Sequence, residues 1–147
     1  MSDNLNESAI DVFQIAEAYA KENMNAAIEP AHVLKALLHK DIGLVSFIEK
    51  TLNADYYYIL EWADMRIKMS KKSSDASLKS FSALTKAVIS EADSIRANSK
   101  KESIDPISLL IAIATPGVGF TYEQMKTLPL QKEDIVAADN AQNGKIT

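Results

Sequence analysis

The chain has 147 residues, of which 47% are hydrophobic and 24% charged, and its net charge is −4. That is enough for one globular domain or two small halves sharing a core, and its acidic balance lacks the basic footprint that phosphate backbones demand, so nucleic acid is not an expected partner. With no cysteine there are no disulfides and no thiolate chemistry; with only 4 Gly and 4 Pro, a turn-rich β sandwich is disfavoured and an all-α fold expected. The N-terminus has neither the basic start nor the apolar run of a signal peptide, and no apolar stretch reaches the roughly 20 residues of a membrane span. The expectation is a cytoplasmic protein without a membrane partner.

The spacing of Ile10, Phe13, Ala16 and Ala20 predicts a first helix over residues 7–24, with Asp11, Gln14, Glu17 and Lys21 as its wet stripe. Pro30 opens a second helix carrying Val33, Leu34, Leu37 and Leu38, because a first-turn proline gives up an N–H that has no helical partner. A short third helix is expected from Gly43, with Leu44, Phe47, Ile48 and Leu52, and Asp55 caps a fourth with Ile59, Leu60, Ala63 and Ile67 inward. Tyr56, Tyr57 and Tyr58 are consecutive, so a helix cannot bury all three on one face. Residues 68–80 are polar and lysine-rich and read as a solvated linker.

Beyond the linker, Leu84, Val88, Ala92 and Ile95 mark a long helix. Asp105-Pro106 is an acidic cap with proline at the first helical position, followed by Ile107, Leu109, Leu110, Ile111 and Ile113. Pro116-Gly117-Val118-Gly119 is a break. A short helix is expected over 122–128, a last one over 131–141, and a frayed tail or exit linker over 142–147.

The two halves superpose without a gap. Val12 falls on Val88, Ala16 on Ala92, Leu34 on Leu110 and Leu52 on Leu128, and Ile28-Glu29-Pro30 falls on Ile104-Asp105-Pro106, a constant offset of 76 positions. Recurrence of the acidic-proline cap at the same offset argues for a duplicated four-helix unit, about 5–67 and 81–141, forming one domain over 1–143 with pseudo-two-fold symmetry.

The segment Ile28-Glu29-Pro30-Ala31-His32-Val33-Leu34-Lys35-Ala36-Leu37-Leu38 resembles the first repeat of the Clp N-terminal domain, in which the whole unit occurs twice. The Ile-Glu-Pro-x-His version looks more like the ClpB disaggregase branch than ClpA or ClpC. ClpC-like domains place a glutamate before the histidine and use it to hold phosphoarginine; here those positions are Ala31 and Ile107, so phosphoarginine binding is not expected. The segment from Thr115 to Leu130 departs from an ordinary ClpB loop and points to a specialised paralogue, such as the ClpV-like ATPases that disassemble contracted type VI secretion sheaths.

The resemblance implies a substrate- or adaptor-recognition domain of a Clp-family AAA+ unfoldase or disaggregase, not an enzyme in itself. No Gly-x-x-x-x-Gly-Lys-Ser/Thr loop is present, so ATP and Mg would bind ATPase modules outside this chain and the chain itself carries no cofactor. The implied partner is a protein substrate or peptide helix, with a sheath subunit as the specialised case. The isolated domain is expected to be a monomer, and the full-length protein a hexamer. The family groove maps onto Leu5 and Asn6 and onto Ile95, Ile107 and Ser108, Ser108 being a polar departure. Two alternatives stay open: a general ClpB-like head for unfolded proteins, and a stand-alone helical adaptor. A small metal hydrolase is disfavoured, because His32 and His39 lack a third ligand; His32 resembles a structural position bonded to nearby backbone.

Overall fold

The computed structural model describes residues 4–75 and 77–146. Among the described residues seven helices follow in order: α1 (Glu7–Glu22), α2 (Pro30–Leu37), α3 (Tyr56–Met69), α4 (Ala83–Asn98), α5 (Pro106–Ile113), α6 (Tyr122–Met125) and α7 (Lys132–Ile146), with a π-helical turn over Phe47–Thr51 between α2 and α3. No strand forms among the described residues; extended pairing is limited to isolated bridges. None of these helices is long and apolar enough to cross a membrane.

Helix boundaries repeat at the offset read from the sequence. α1 plus 76 gives α4, and α2 plus 76 gives α5, residue for residue. Each lead-in is capped alike: Asn6 Oδ1 accepts from the Ala9 N–H at 2.9 Å, and Ser82 Oγ accepts from the Thr85 N–H at 3.2 Å. Both long helices end at a left-handed residue, Met24 (φ 54°) and Lys100 (φ 59°), again 76 apart.

The halves exchange their lead-ins. The Asn6 N–H donates to the Ile104 carbonyl at 2.9 Å, and the Ile104 N–H donates to the Asn4 carbonyl at 2.6 Å. The symmetric pair has the Ser82 N–H on the Ile28 carbonyl at 3.1 Å and the Ile28 N–H on the Ser80 carbonyl at 2.9 Å. Thus Leu5 bridges Ile104, and Phe81 bridges Ile28. Each half threads the start of its long helix against the other half's second helix.

The core sits between α2 and α5, which pack on each other, with α1 and α4 across them. In α2 only Lys35 is not buried, and in α5 only Ile107; a helix apolar nearly all round belongs in an interior. Burying a Leu or Ile fully contributes about 1.5–3 kcal/mol, and half of the largest fully buried side chains belong to these two helices.

Several boundaries differ from the sequence reading. α1 stops at Glu22, where Asn23 caps it and donates Nδ2–H to the Tyr19 carbonyl at 2.8 Å. Gly43 (φ 82°) lies just ahead of the expected short helix, whose helical residues begin at Val45 and pass into the π-helical turn at Phe47. α6 is shorter than expected and ends at Met125. α7 continues through the stretch read as a tail to Ile146, and Thr147 lies outside the described residues. Leu84 is 52% exposed, off the face that buries Val88 and Ala92. The polar segment after α3 forms an extended strap: Ala26 donates to the Lys71 carbonyl at 2.8 Å, and Ser73 to that of Met24 at 2.8 Å.

Candidate peptide-binding site

Of the five residues mapped onto a groove, Leu5 and Asn6 meet the lead-in to α5, where Leu5 bridges Ile104 and the Asn6 N–H donates to its carbonyl at 2.9 Å, just ahead of Ile107 and Ser108. Leu5 and Asn6 lie side by side in the lead-in to α1, half-buried, and Leu5 lines a surface pocket of about 210 Å3 with Ile10, Phe13, Gln14, Ile28 and Phe81. Neither Ile95 nor Ile107 lines that pocket; both are half-buried and pack against the core. Ser108 is fully buried. Its N–H and its hydroxyl both donate to Asp105 Oδ1, at 2.8 and 2.7 Å, so it completes the helix cap and presents nothing to a ligand. That corrects its assignment as a groove residue.

The pocket beside Leu5 is a product of the exchange. Phe81 comes from the lead-in of the second half, and its ring lies 5.2 Å from that of Phe13 on α1, tilted by 54°. Ile10 remains 43% exposed beside them. At the rim, Glu17 Oε2 accepts from the Lys79 N–H at 3.1 Å, fixing the strap across α1. The result is an apolar, solvent-facing cleft between two elements that belong to different halves. Periodicity gives Ile10 and Phe13 as one face but carries no sign that Phe81 will meet them.

A second pocket, of about 280 Å3, lies where the N-terminus of α2, the end of α3, the start of α4 and the loop before α6 converge. Leu84, Met69, Ala31 and Phe120 give it apolar walls, with Arg66 and Glu29 as its charged members. Gly119 sets its shape: a Cβ there would lie 2.7 Å from Val88 Cγ2 and 3.2 Å from Pro30 Cβ, so only glycine lets the loop close onto α2 and α4. Phe120 then meets the chain's single tryptophan, Trp62, edge-on with centroids 4.8 Å apart. Arg66 stacks on Trp62 with its guanidinium carbon 3.6 Å from the ring centroid. The sequence shows the Pro-Gly break but not this packing.

The polar interior differs between the halves. In the first, His32 Nδ1 accepts from the Glu29 N–H at 2.8 Å and Nε2 meets Asn25 Oδ1 at 2.8 Å. Burial, reinforced by Lys35 and Lys72, lowers the His32 pKa to about 4. In the second, Lys101 takes the place of Asn25 and bonds Asp105 and Asp139, each at 2.8 Å. Burial alone would lower the Lys101 pKa, but the bonds to the two aspartates outweigh it and raise it. For Asp105, burial pushes upward and the bonds from Lys101 and Ser108 prevail, holding it below its ordinary value. These groups join the loop after each long helix to the last helix of its half and are structural.

Of the three adjacent tyrosines, Tyr57 and Tyr58 are exposed and Tyr56 is half-buried, its hydroxyl donating to the Leu38 carbonyl at 3.3 Å.

A duplicated helical unit with exchanged lead-ins and apolar clefts defines a two-repeat all-α domain. The family of the Clp repeat (R) N-terminal domain matches residues 4–126, and the chain belongs to it. Solved structures agree in fold. The Hsp104 N-terminal domain from Candida albicans superposes with a TM-score of 0.75 at 15% identity, over 92% of this chain and 88% of that one. The N-terminal domain of the ClpV1 ATPase from the E. coli EAEC Sci1 T6SS gives 0.76 at 17% identity, over 94% and 85%. A ClpV N-domain in complex with a VipB peptide gives 0.69 at 14% identity, over 91% and 88%. No curated protein matches the sequence.

Proposed function

We propose that the chain is the recognition domain of a Clp-type AAA+ ATPase and captures a helical segment of a protein substrate, in the cleft formed by Leu5, Ile10, Phe13 and Phe81. The observation that carries this reading is the cleft itself: an apolar surface open to solvent, built where the two halves cross. An amphipathic helix laid into such a groove buries one apolar stripe. At about 25 cal/mol per Å2, a modest contact yields weak, reversible capture. Weak capture suits a domain whose motor must then draw the substrate away, and several heads around one ring would restore affinity through avidity. ATP and Mg belong to the motor modules in this scheme.

Within the family, the ClpV N-domain complex with a VipB peptide and the divergent loop from Thr115 to Leu130 favour a sheath subunit as substrate. The likeness to the Hsp104 domain supports the second reading, a general head for unfolded chains. Calorimetric titration with a VipB-type peptide and with an unfolded model protein separates them. The first reading expects the peptide to bind and Ile10→Asp to remove binding without altering the unfolding midpoint. Binding of the unfolded protein alone favours the second, and binding that Ile10→Asp leaves intact displaces the cleft as the site.

A further inference from the structure

The second pocket, between the end of α3 and the loop before α6, carries a cation that no carboxylate among the described residues pairs. Arg66 donates Nη1–H to the Trp62 carbonyl at 3.2 Å and stacks on the Trp62 ring, so its guanidinium is fixed in place. Its Nε is buried and has no hydrogen-bond partner. Among the described residues no carboxylate lies within ion-pair distance of it, although Glu29 lines the same pocket. A guanidinium with no carboxylate partner favours one, because the two oxygens of a carboxylate match its fork.

The surroundings repeat the same preference. Met69 and Leu84, 82% and 52% exposed, stand beside Arg66 as uncovered apolar walls, and methionine adapts to varied partners. The chain leaves the pocket at Ser70 into Lys71 and Lys72, with Lys68 just before; Lys68 and Lys71 form no ion pair among the described residues. The locally basic rim contrasts with the acidic chain as a whole.

We propose that this pocket binds an acidic-aliphatic segment of a partner protein: an Asp or Glu side-chain carboxylate pairs with Arg66, and an adjacent Leu- or Met-sized side chain fills the space between Met69, Leu84 and Phe120. This deepens the peptide-capture reading and rests on it, naming the chemistry of a second anchor on the same substrate.

Trp62, the only tryptophan, is the reporter, because Arg66 covers one of its faces. The probe is a capped peptide of about twelve residues, free of aromatics, with one Glu beside Leu. Its twin has Gln for Glu, and a third version carries Gln and a free C-terminal carboxylate. The Glu peptide is expected to change Trp62 emission saturably, to bind about tenfold or more tighter than the Gln twin, and to lose affinity as salt is raised. Arg66→Gln should abolish the difference between twins, Arg66→Lys should retain part of it, and Glu29→Gln should tighten the Glu peptide. Leu84→Ser, at a half-exposed position that folding does not need, should weaken both twins.

Equal binding of the twins to the parent protein, or a difference that survives in Arg66→Gln, overturns the proposal. Binding of the C-terminal carboxylate version alone also overturns it, in favour of a chain end. If neither twin binds while the VipB-type peptide still does, the proposal falls and the peptide-capture reading stands; if no peptide binds at all, both fall.

Discussion

His32 Nε2 and Asn25 Oδ1 lie 2.8 Å apart, and both side chains are fully buried. Asn25 accepts at that oxygen and donates from Nδ2 to the Ile67 carbonyl at 3.2 Å, so the imidazole must donate from Nε2 while Nδ1 accepts from Glu29. Protonating Nδ1 would break the cap on α2.

Stability should therefore depend on pH through this residue. The folded pKa is about 4 against an ordinary value of 6.5, so between these limits the unfolded chain binds a proton that the native one does not. Stability is fully present above pH 6.5 and declines as pH falls toward 4, by up to about 3 kcal/mol at the lower end. Urea unfolding at intervals from pH 7.5 to 5 should show this slope, and His32→Gln should flatten it over the same range. An equal slope in the variant would place the dependence elsewhere.

The corresponding ion pair in the second half should behave differently. Asp139 is 4% exposed and depends on Lys101, so Lys101→Met leaves a buried carboxylate uncompensated. The expected loss is about 3–5 kcal/mol. Combining Lys101→Met with Asp139→Leu should recover much of it, because replacing both partners removes the orphan charge. A double variant as unstable as the single one would show that the pair itself, and not its broken remnant, matters.

Gly119→Ala tests the loop that builds the Arg66 pocket. Its φ is not among the positive ones, so the cost is purely steric, from contacts of 2.7 Å to Val88 and 3.2 Å to Pro30. Overpacking of this kind costs about 1–3 kcal/mol. The displaced loop should carry Phe120 away from Trp62, shifting tryptophan emission in the folded state. Unchanged emission with unchanged stability would refute the close approach.

Symmetric caps should have comparable effects. Asn6→Ala and Ser82→Ala each remove the acceptor of one helix N–H, costing about 0.5–2 kcal/mol. Since the lead-ins cross between halves, either variant should lower one shared unfolding transition. Two separated calorimetric transitions would contradict the interlocked core.

The duplication was legible because the acidic-proline cap is local chemistry: Glu29-Pro30 and Asp105-Pro106 mark helix starts whatever surrounds them. Met24 and Lys100, both left-handed, could not be found that way, because neither is Gly or Asn. The candidate site was less legible. Ser108 falls on the groove by position, yet three residues after an aspartate cap it is placed to feed that cap, and it does. Leu84 fits the spacing of Val88 and Ala92, but the buried face of the first turn falls on Thr85, and Leu84 stays exposed beside it. Phe81 beside Phe13, and Arg66 on Trp62, are encounters between distant segments, which periodicity does not encode.

The crossed lead-ins have one more consequence. Since Leu5 bridges Ile104 as Phe81 bridges Ile28, the surface each half offers the other is the same patch seen twice, as in an isologous two-fold interface. The fold is in effect a homodimer written into a single chain. Within one chain each copy can hold its own polar interior: His32 and Asn25 in one, Lys101 and Asp139 in the other. A true dimer would carry two identical polar interiors; the fused pair holds a neutral histidine–asparagine contact in one half and a buried ion pair in the other.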